Sequence, residues 1–313
     1  MPGLVGNANE MRENHAMSRP IRVLSSALAV GATIAAAGCG GGGHGGASSG
    51  GASSSTTASS AAHASYLATV TRAAYATDQV PGYKFSLKVD TKLAGNSSTI
   101  EGGGTINDSG SEGTASLQVE GKTINEVIAK PYLYVSVPGG DTSVTHGKSW
   151  LRGDLNTFSQ SYGSSSIGAG SSNPTEVLSY LKAAGTVTRS GEEQVRGVTS
   201  THYRALIDLT HFADSAPAGK RAAALKAGKL FERITGAKTL PMDVWIGAGR
   251  ITRVALAYSV CAPQGRLQET LSMDLYDYGR QPVVSPPPAA QVADLAATLK
   301  SEVAKSLAQL GCH

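Results

Sequence analysis

Period-two alternation of apolar and polar residues dominates the chain from Tyr83 onward. In Tyr83–Asp90 the apolar Tyr83, Phe85, Leu87 and Val89 alternate with Lys84, Ser86, Lys88 and Asp90. Thr114–Glu120 repeats the pattern with Ala115, Leu117 and Val119 on one side, and Leu133, Val135 and Val137 continue it beyond Pro131. Such alternation predicts strands with one wet face and one buried face. In the second half, Thr186–Arg196 and Val198–Leu209 flank Gly197, and Met242–Ile246 and Ile251–Val260 flank Gly247-Ala248-Gly249-Arg250. Each pair predicts a hairpin. Val254, Leu256, Tyr258 and Val260 share one face, and Leu271, Met273 and Leu275 share one in the following strand, Gln268–Tyr278. Consecutive strands joined by short turns make a meander, and hence an antiparallel sheet.

Helical spacing interrupts the alternation. Ser65–Gln79 puts Leu67, Val70, Ala74 and Tyr75 on one side and is stopped by Pro81-Gly82. Asn173-Pro174-Thr175-Glu176 opens a short helix to Ala184, with proline at an early helical position. Ala218–Thr235, rich in Ala, Leu and Lys, is another. After Pro286-Pro287-Pro288, Ala289–Leu310 carries Val292, Leu295, Leu299, Val303, Leu307 and Leu310 at steps of three or four, an apolar stripe for docking. Ser159–Ser172 reads as a surface loop.

The N-terminal part has a different character. Ile21–Gly38 is apolar, with Arg19 and Arg22 at its front edge and small residues at its end, the layout of a secretory signal. It is too short and too rich in Ser, Gly and Ala for a membrane span of about 20 residues. Ala36-Ala37-Gly38-Cys39 resembles the lipobox of bacterial lipoproteins, in which cleavage precedes the cysteine and its thiol carries a diacylglycerol. Lipoboxes usually have Leu where Ala36 stands. Residues 1–38 are thus expected to be a signal peptide and Cys39 the lipidated first residue. Met1–Ala16 is polar and fits no part of a signal; the start is at Met1 or at Met17. Gly40–Ala62 is almost entirely Gly, Ser, Ala and Thr, a composition that buries too little to fold. Residues 39–62 therefore read as a lipidated cysteine on a flexible tether with a reach of roughly 25 Å. A folded domain is expected over 63–285, with a Pro-rich link and amphipathic helix over 286–313. Two acyl chains make a stable anchor, so the expected place is the outer face of the cell membrane, held by the N-terminal diacylglycerol.

Charge and chemistry narrow the reading. Lys and Arg number 27 against 23 Asp and Glu, a net charge of +4, and no basic run marks a nucleic-acid partner. Aromatics at 5% and 38 glycines suit a twisted antiparallel sheet with tight turns. Cys261 and Cys312 form an even pair in an exported chain, where a disulfide is favoured and two inert thiols are the alternative. His146, His202 and His211 fall in the folded part, and none stands at metal-ligand spacing. His202 alternates with Thr201 and Tyr203 and is expected to face water. Gly46–Gly50 matches the G-x-S-x-G elbow but lies in the tether rather than between a strand and a helix. Asp243 beside Trp245 and Asp208 near His211 are acid–base pairs only in the loosest sense. No catalytic residue, metal ligand or cofactor is assigned, and an enzyme is not expected.

Several segments, in order, carry a family likeness. They are an opening helix before YKFSLKV, then KPYLYVSVPG, then GKSWLRGDL around Trp150. GEEQVRGVTSTHYRALIDL (Gly191–Leu209), LPMDVWIGAGRITRV (Leu240–Val254) and a closing Pro-rich stretch complete the series. With the lipobox, this order resembles the LolA-like lipoproteins of actinobacteria, the LppX/LprA/LprF/LprG family, over roughly Ser65 to Pro287. The resemblance implies an α+β fold: a strongly curved antiparallel sheet, an incomplete barrel, with helices on its concave face. It also implies an apolar cavity between sheet and helices that takes an acyl lipid or glycolipid. The helix ending near Cys312 is longer than the family leads one to expect. Candidate lining residues are Phe85, Leu87, Leu117, Val119, Leu133, Val135, Val254, Leu256, Tyr258, Leu271, Met273 and Leu275. An acyl chain gains about 0.8 kcal/mol per buried CH₂, so binding, and shuttling with it, needs no catalytic group. A sheet packed solid against its helices uses the same residue types. An envelope sensor or structural lipoprotein that binds a protein partner is therefore the alternative.

Overall fold

A computed structural model describes residues 53–107, 111–138, 145–155, 181, 184–211, 213–214, 221–263 and 265–295. It opens with helix α1, Ser53–Asp78. Composition predicts a tether to Ala62 and a helix from Ser65; both limits are corrected. Gly51 is the last glycine before the helix, and neither Gly nor Pro recurs until Pro81, so nothing in Ser53–Ala64 breaks a helical backbone. Thr69 and Thr77 turn their hydroxyls back to the carbonyls of Ser65 and Ala73, at 2.9 and 2.8 Å, which satisfies polar side chains inside the helix. Val70, Ala73 and Ala74 form its buried side, whereas Tyr75, expected with them, is 61% exposed.

The strands are β1 (Gly82–Leu93), β2 (Asn96–Asn107), β3 (Glu112–Val119), β4 (Lys122–Ala129), β5 (Tyr132–Ser136) and β6 (Trp150–Asp154), then β7 (Ala184–Val195) and β8 (Val198–Asp208). Helix α2 (Arg221–Thr235) precedes β9 (Thr239–Gly247), β10 (Arg250–Ala262), β11 (Gly265–Tyr276) and the short β12 (Val292–Asp294). All twelve make one sheet in the order β12-β6-β5-β4-β3-β2-β1-β11-β10-β9-β8-β7. Two meanders, β1 to β6 and β7 to β11, are thus joined through the β1–β11 pair. Every neighbouring pair is antiparallel except β12 with β6. The end strands β12 and β7 do not pair, so the sheet stays an open, incomplete barrel. With two α-helices among the described residues, the fold is α+β.

Strand β2 was not foreseen, because Gly102-Gly103-Gly104 erases the alternation. The register explains the glycines. Gly104 stands between Phe85 of β1 and Ala115 of β3, and Gly102 between Leu87 and Leu117. A Cβ would lie 1.8 Å from the Thr114 carbonyl oxygen at position 104 and 2.0 Å from that of Ser116 at position 102. The β3 backbone crowds β2 closely enough that no side chain fits, the local geometry of a sharply bent sheet.

The C-terminal segment also differs from expectation. Ala289–Gln291 is a single 3-10 turn, and Val292–Asp294 lies parallel to β6 as an edge strand. Arg152 grips Asp294 through two bonds of 2.7 and 3.0 Å, and the Leu295 amide donates to the Arg152 carbonyl at 2.8 Å. The prolines hold the approach extended, and the open edge of β6 supplies partners that a new helix turn would lack. The helix expected from Ala289 therefore does not start there; Leu299 to Leu310 lie outside the described residues. So do the helix from Asn173, except Leu181 and Ala184, and the loop Ser159–Ser172. Ala184 itself opens β7.

Candidate functional site

The pairings assemble one face of the sheet strand by strand. Phe85, Leu87 and Val89 of β1 stand opposite Leu275, Met273 and Leu271 of β11. Met273 and Leu271 stand opposite Val254 and Leu256 of β10, and Glu269 opposite Tyr258. In the other direction Leu117 of β3 meets Ile124 of β4, and Val119 meets Ile100 of β2. Ile128 and Glu126 of β4 meet Leu133 and Val135 of β5. All the candidate lining residues thus share one face. Val70, Ala73 and Ala74 of α1 and Ala224, Phe231 and Ile234 of α2 join the same hydrophobic cluster. Helix α1 lies against β7, β9 and β10, and α2 against β10. The His63 ring is 2.8 Å from the Val187 carbonyl oxygen and fastens α1 to β7.

Burial along this face is uneven. Phe85, Leu256 and Val254 are closed off, as are Leu87, Leu117, Val119, Tyr258, Leu271, Met273 and Leu275. Leu133 and Val135 on β5 are only half-buried. Gly104 and Ala115 occupy the row between Phe85 and Glu126, so little side-chain bulk rises from β2 and β3 there.

Two carboxyls, Glu126 and Glu269, interrupt the apolar face, and neither is assigned a place from the sequence. Each sits in the apolar phase of its strand, Glu126 between Ile124 and Ile128 and Glu269 two positions before Leu271. That phase was the available signal. Tyr258, expected as a plain lining residue, donates its hydroxyl to Glu269 Oε1. Burial first, and the Glu269 charge and hydrogen bond after it, push the Tyr258 hydroxyl well above its ordinary range. Burial alone raises the Glu126 carboxyl to about 7. Below that pH it is a neutral donor on an apolar surface, able to bond a carbonyl or ester oxygen.

The sign of the resulting pH effect follows from linkage. Below the unfolded value of 4.5 the group is protonated in both states. Between 4.5 and about 7 the unfolded chain ionises first, so stability falls as pH rises. Glu126→Gln should abolish this component. Urea unfolding of both proteins at pH 4.5 and pH 8 should show the parent losing about 3 kcal/mol more than the variant. An equal loss in the two would show that Glu126 is solvated.

The outer face carries polar ladders. The His202 ring stacks on Trp245 with centroids 4.2 Å apart and planes 8° from parallel. Its Nε2 lies 2.8 Å from Asp243, which also receives Arg204 at 2.8 Å. His202 is therefore packed, its side chain 18% exposed, and does not simply face water. Arg253 holds Asp274 on the neighbouring strand at 2.5 and 3.0 Å. Asp208 and His211 close a turn at 2.9 Å, where Thr210 first and His211 next hold the Asp208 carboxyl down at about 2. These are cross-strand and turn contacts. Among the described residues no cluster of three or more His, Cys, Asp and Glu is placed to hold a metal. Among them, too, no helix is long and apolar enough to cross a membrane. Cys261 is half-buried at the end of β10, opposite Arg266; Cys39 and Cys312 lie outside the described residues.

The open antiparallel sheet has counterparts among solved structures. It is similar to the Mycobacterium tuberculosis lipoprotein LppX, at 12% identity over 71% of this chain and 99% of that one, with a TM-score of 0.45. LprF from Mycobacterium bovis is similar at 13% identity, 72% and 98% coverage and a TM-score of 0.41. The LolA superfamily protein NE2245 from Nitrosomonas europaea stands at 8%, covering 70% and 94%, with a TM-score of 0.30. These are likenesses of fold. No family model matches the chain, and no curated protein sequence does.

Proposed function

We propose that the chain is an exported lipoprotein, lipidated at Cys39 and held at the outer face of the cell membrane, whose inner sheet face binds an acyl lipid or glycolipid. The observation that supports this most is the apolar face running from β10 to β5, buried at β10 beneath α1 and α2 and only half-buried at Leu133 and Val135. Glu126, in register with Val135, offers a neutral polar anchor beside that half-buried pair. A few placed polar groups in an apolar surface are what a lipid site requires. The deep burial of Leu256 and Val254 favours instead a solid core beneath the helices, which is the basis of the alternative, a sensor or structural lipoprotein with a protein partner. Identifying the lipid that accompanies the purified domain separates the two.

The anchor has its own test. Cys39→Ser should block lipidation, so the protein leaves the detergent phase in a phase-partition assay or accumulates with its leader uncleaved. A cleaved Cys39→Ser protein that still enters detergent would contradict the anchor. Cys261 and Cys312 are proposed to form a disulfide tying the C-terminal segment to β10. Closing a loop of this length is worth about 4 kcal/mol in the chain-entropy model. Intact mass with and without reductant should differ by two hydrogens; two alkylatable thiols in unreduced, unfolded protein would refute the bridge.

A further inference from the structure

A pocket of about 670 Å³ opens at the end of the sheet. Thr77, in the last turn of α1, accepts the Ile251 amide there at 3.0 Å, so this is also where α1 stops. Of the inner-face candidates only Leu275 touches the pocket, which makes it a separate site. Two hairpin tips and the exit of β11 form its walls. Arg196 at φ 49° precedes Gly197 at φ 81°, and Ala248 at φ 48° precedes Gly249 at φ 74°. Paired left-handed residues make tight turns whose twist matches the flanking strands, so Arg196 and Arg250 are set at fixed places on the rim. Each guanidinium lies near a tyrosine ring that also lines the pocket, Arg196 over Tyr276 at 3.8 Å and Arg250 near Tyr278 at 5.5 Å.

Stacking occupies a guanidinium's flat face and leaves its N–H edge for a planar or tetrahedral oxyanion. Arg152, Arg189, Arg204 and Arg253 each already hold a carboxylate. Among the described residues Arg196 and Arg250 form no salt bridge, and the acid in the lining, Asp277, is taken by Lys84 at 3.0 Å. Two uncompensated charges in one pocket match one dianion, and the tyrosine rings with Val198 supply a surface for an organic group. The geometry points to a binding site for a phosphate monoester, carried either by a soluble molecule or by a lipid headgroup.

The two sources are separated with one protein, the soluble domain lacking Cys39, and two probes. Glycerol 3-phosphate is titrated calorimetrically, and vesicles of phosphatidic acid in phosphatidylcholine are tested by co-sedimentation. Binding to at least one probe is expected, weakened at least about tenfold in Arg196→Gln/Arg250→Gln and weakened by added salt. Each single variant should fall between, and Arg250→Lys, which keeps the charge but loses the fork, should not restore full binding. Binding of glycerol 3-phosphate assigns a soluble ligand, and binding of vesicles alone assigns a headgroup. No binding to either probe, or equal binding by the folded double variant, would overturn the site. Acyl lipid on the inner face, measured on the same preparations, should not change in the double variant, so failure here is distinguishable from failure of the lipid reading.

Discussion

Gly104→Ala should lower the stability of the domain by about 3 kcal/mol or more, the largest effect expected of any single methyl group added to it. A Cβ there would sit 1.8 Å from the Thr114 carbonyl oxygen and 2.8 Å from the Ala115 Cα. Those are backbone atoms bonded into the β2–β3 ladder, so relief requires the strands to separate rather than a side chain to turn. Overpacking within a core costs about 1–3 kcal/mol and more where the backbone must move. Gly185→Ala is the control. The nearest atom to its added carbon is the Leu206 carbonyl oxygen at 4.0 Å, and such a change belongs within about 0.5 kcal/mol of the parent. Denaturant midpoints of the three proteins measure the difference. Equal midpoints for Gly104→Ala and Gly185→Ala would show that β2 and β3 are not packed as described.

Tryptophan at two places on the inner face should act in opposite ways. Leu256 is 1% exposed and opposes Met242 and Leu271 beneath the helices. Leu256→Trp has no room and should destabilise by about 1–3 kcal/mol. Val135 is half-buried at the β5 side of the face, so Val135→Trp should change stability by less than about 1 kcal/mol. Its ring would instead occupy space proposed for ligand. Displacing three methylenes removes about 2.4 kcal/mol of burial and weakens acyl binding about fiftyfold. Melting temperature and bound lipid, read on both variants, separate the effects. Loss of stability at Val135 matching that at Leu256 would mean that the face is packed throughout.

The inner face was legible because parity in a strand decides which side a residue takes. Once Phe85, Leu117, Leu133, Leu256 and Met273 are each in phase with their neighbours, only the pairing is needed to join them. What parity does not show is chemistry inside the apolar phase. Glu126 and Glu269 carry no mark of their own beyond their place in that phase, and His202 looks water-facing until Trp245 is placed beside it. β2 was hidden because glycine carries no side chain to alternate. β12 was hidden because its partner, Arg152, lies 142 residues from Asp294, and its Val292 fits a helical stripe equally well. The early start of α1 was hidden by composition, since Ser, Thr and Ala serve a tether and a helix alike. Arg196 and Arg250 gave no sign of sharing a pocket, because hairpin tips more than fifty positions apart meet only in the folded sheet.

The inner face is proposed to hold a lipid. Native mass spectrometry of the soluble domain, lacking Cys39 and purified from its native kind of host, tests it most directly. A folded population heavier than the polypeptide by the mass of an acyl lipid, reduced to bare polypeptide on denaturation and depleted in Val135→Trp, is the predicted result. A homogeneous lipid-free parent that also takes up no acyl lipid when offered it, with Val135→Trp as destabilised as Leu256→Trp, would contradict it and establish a solid core.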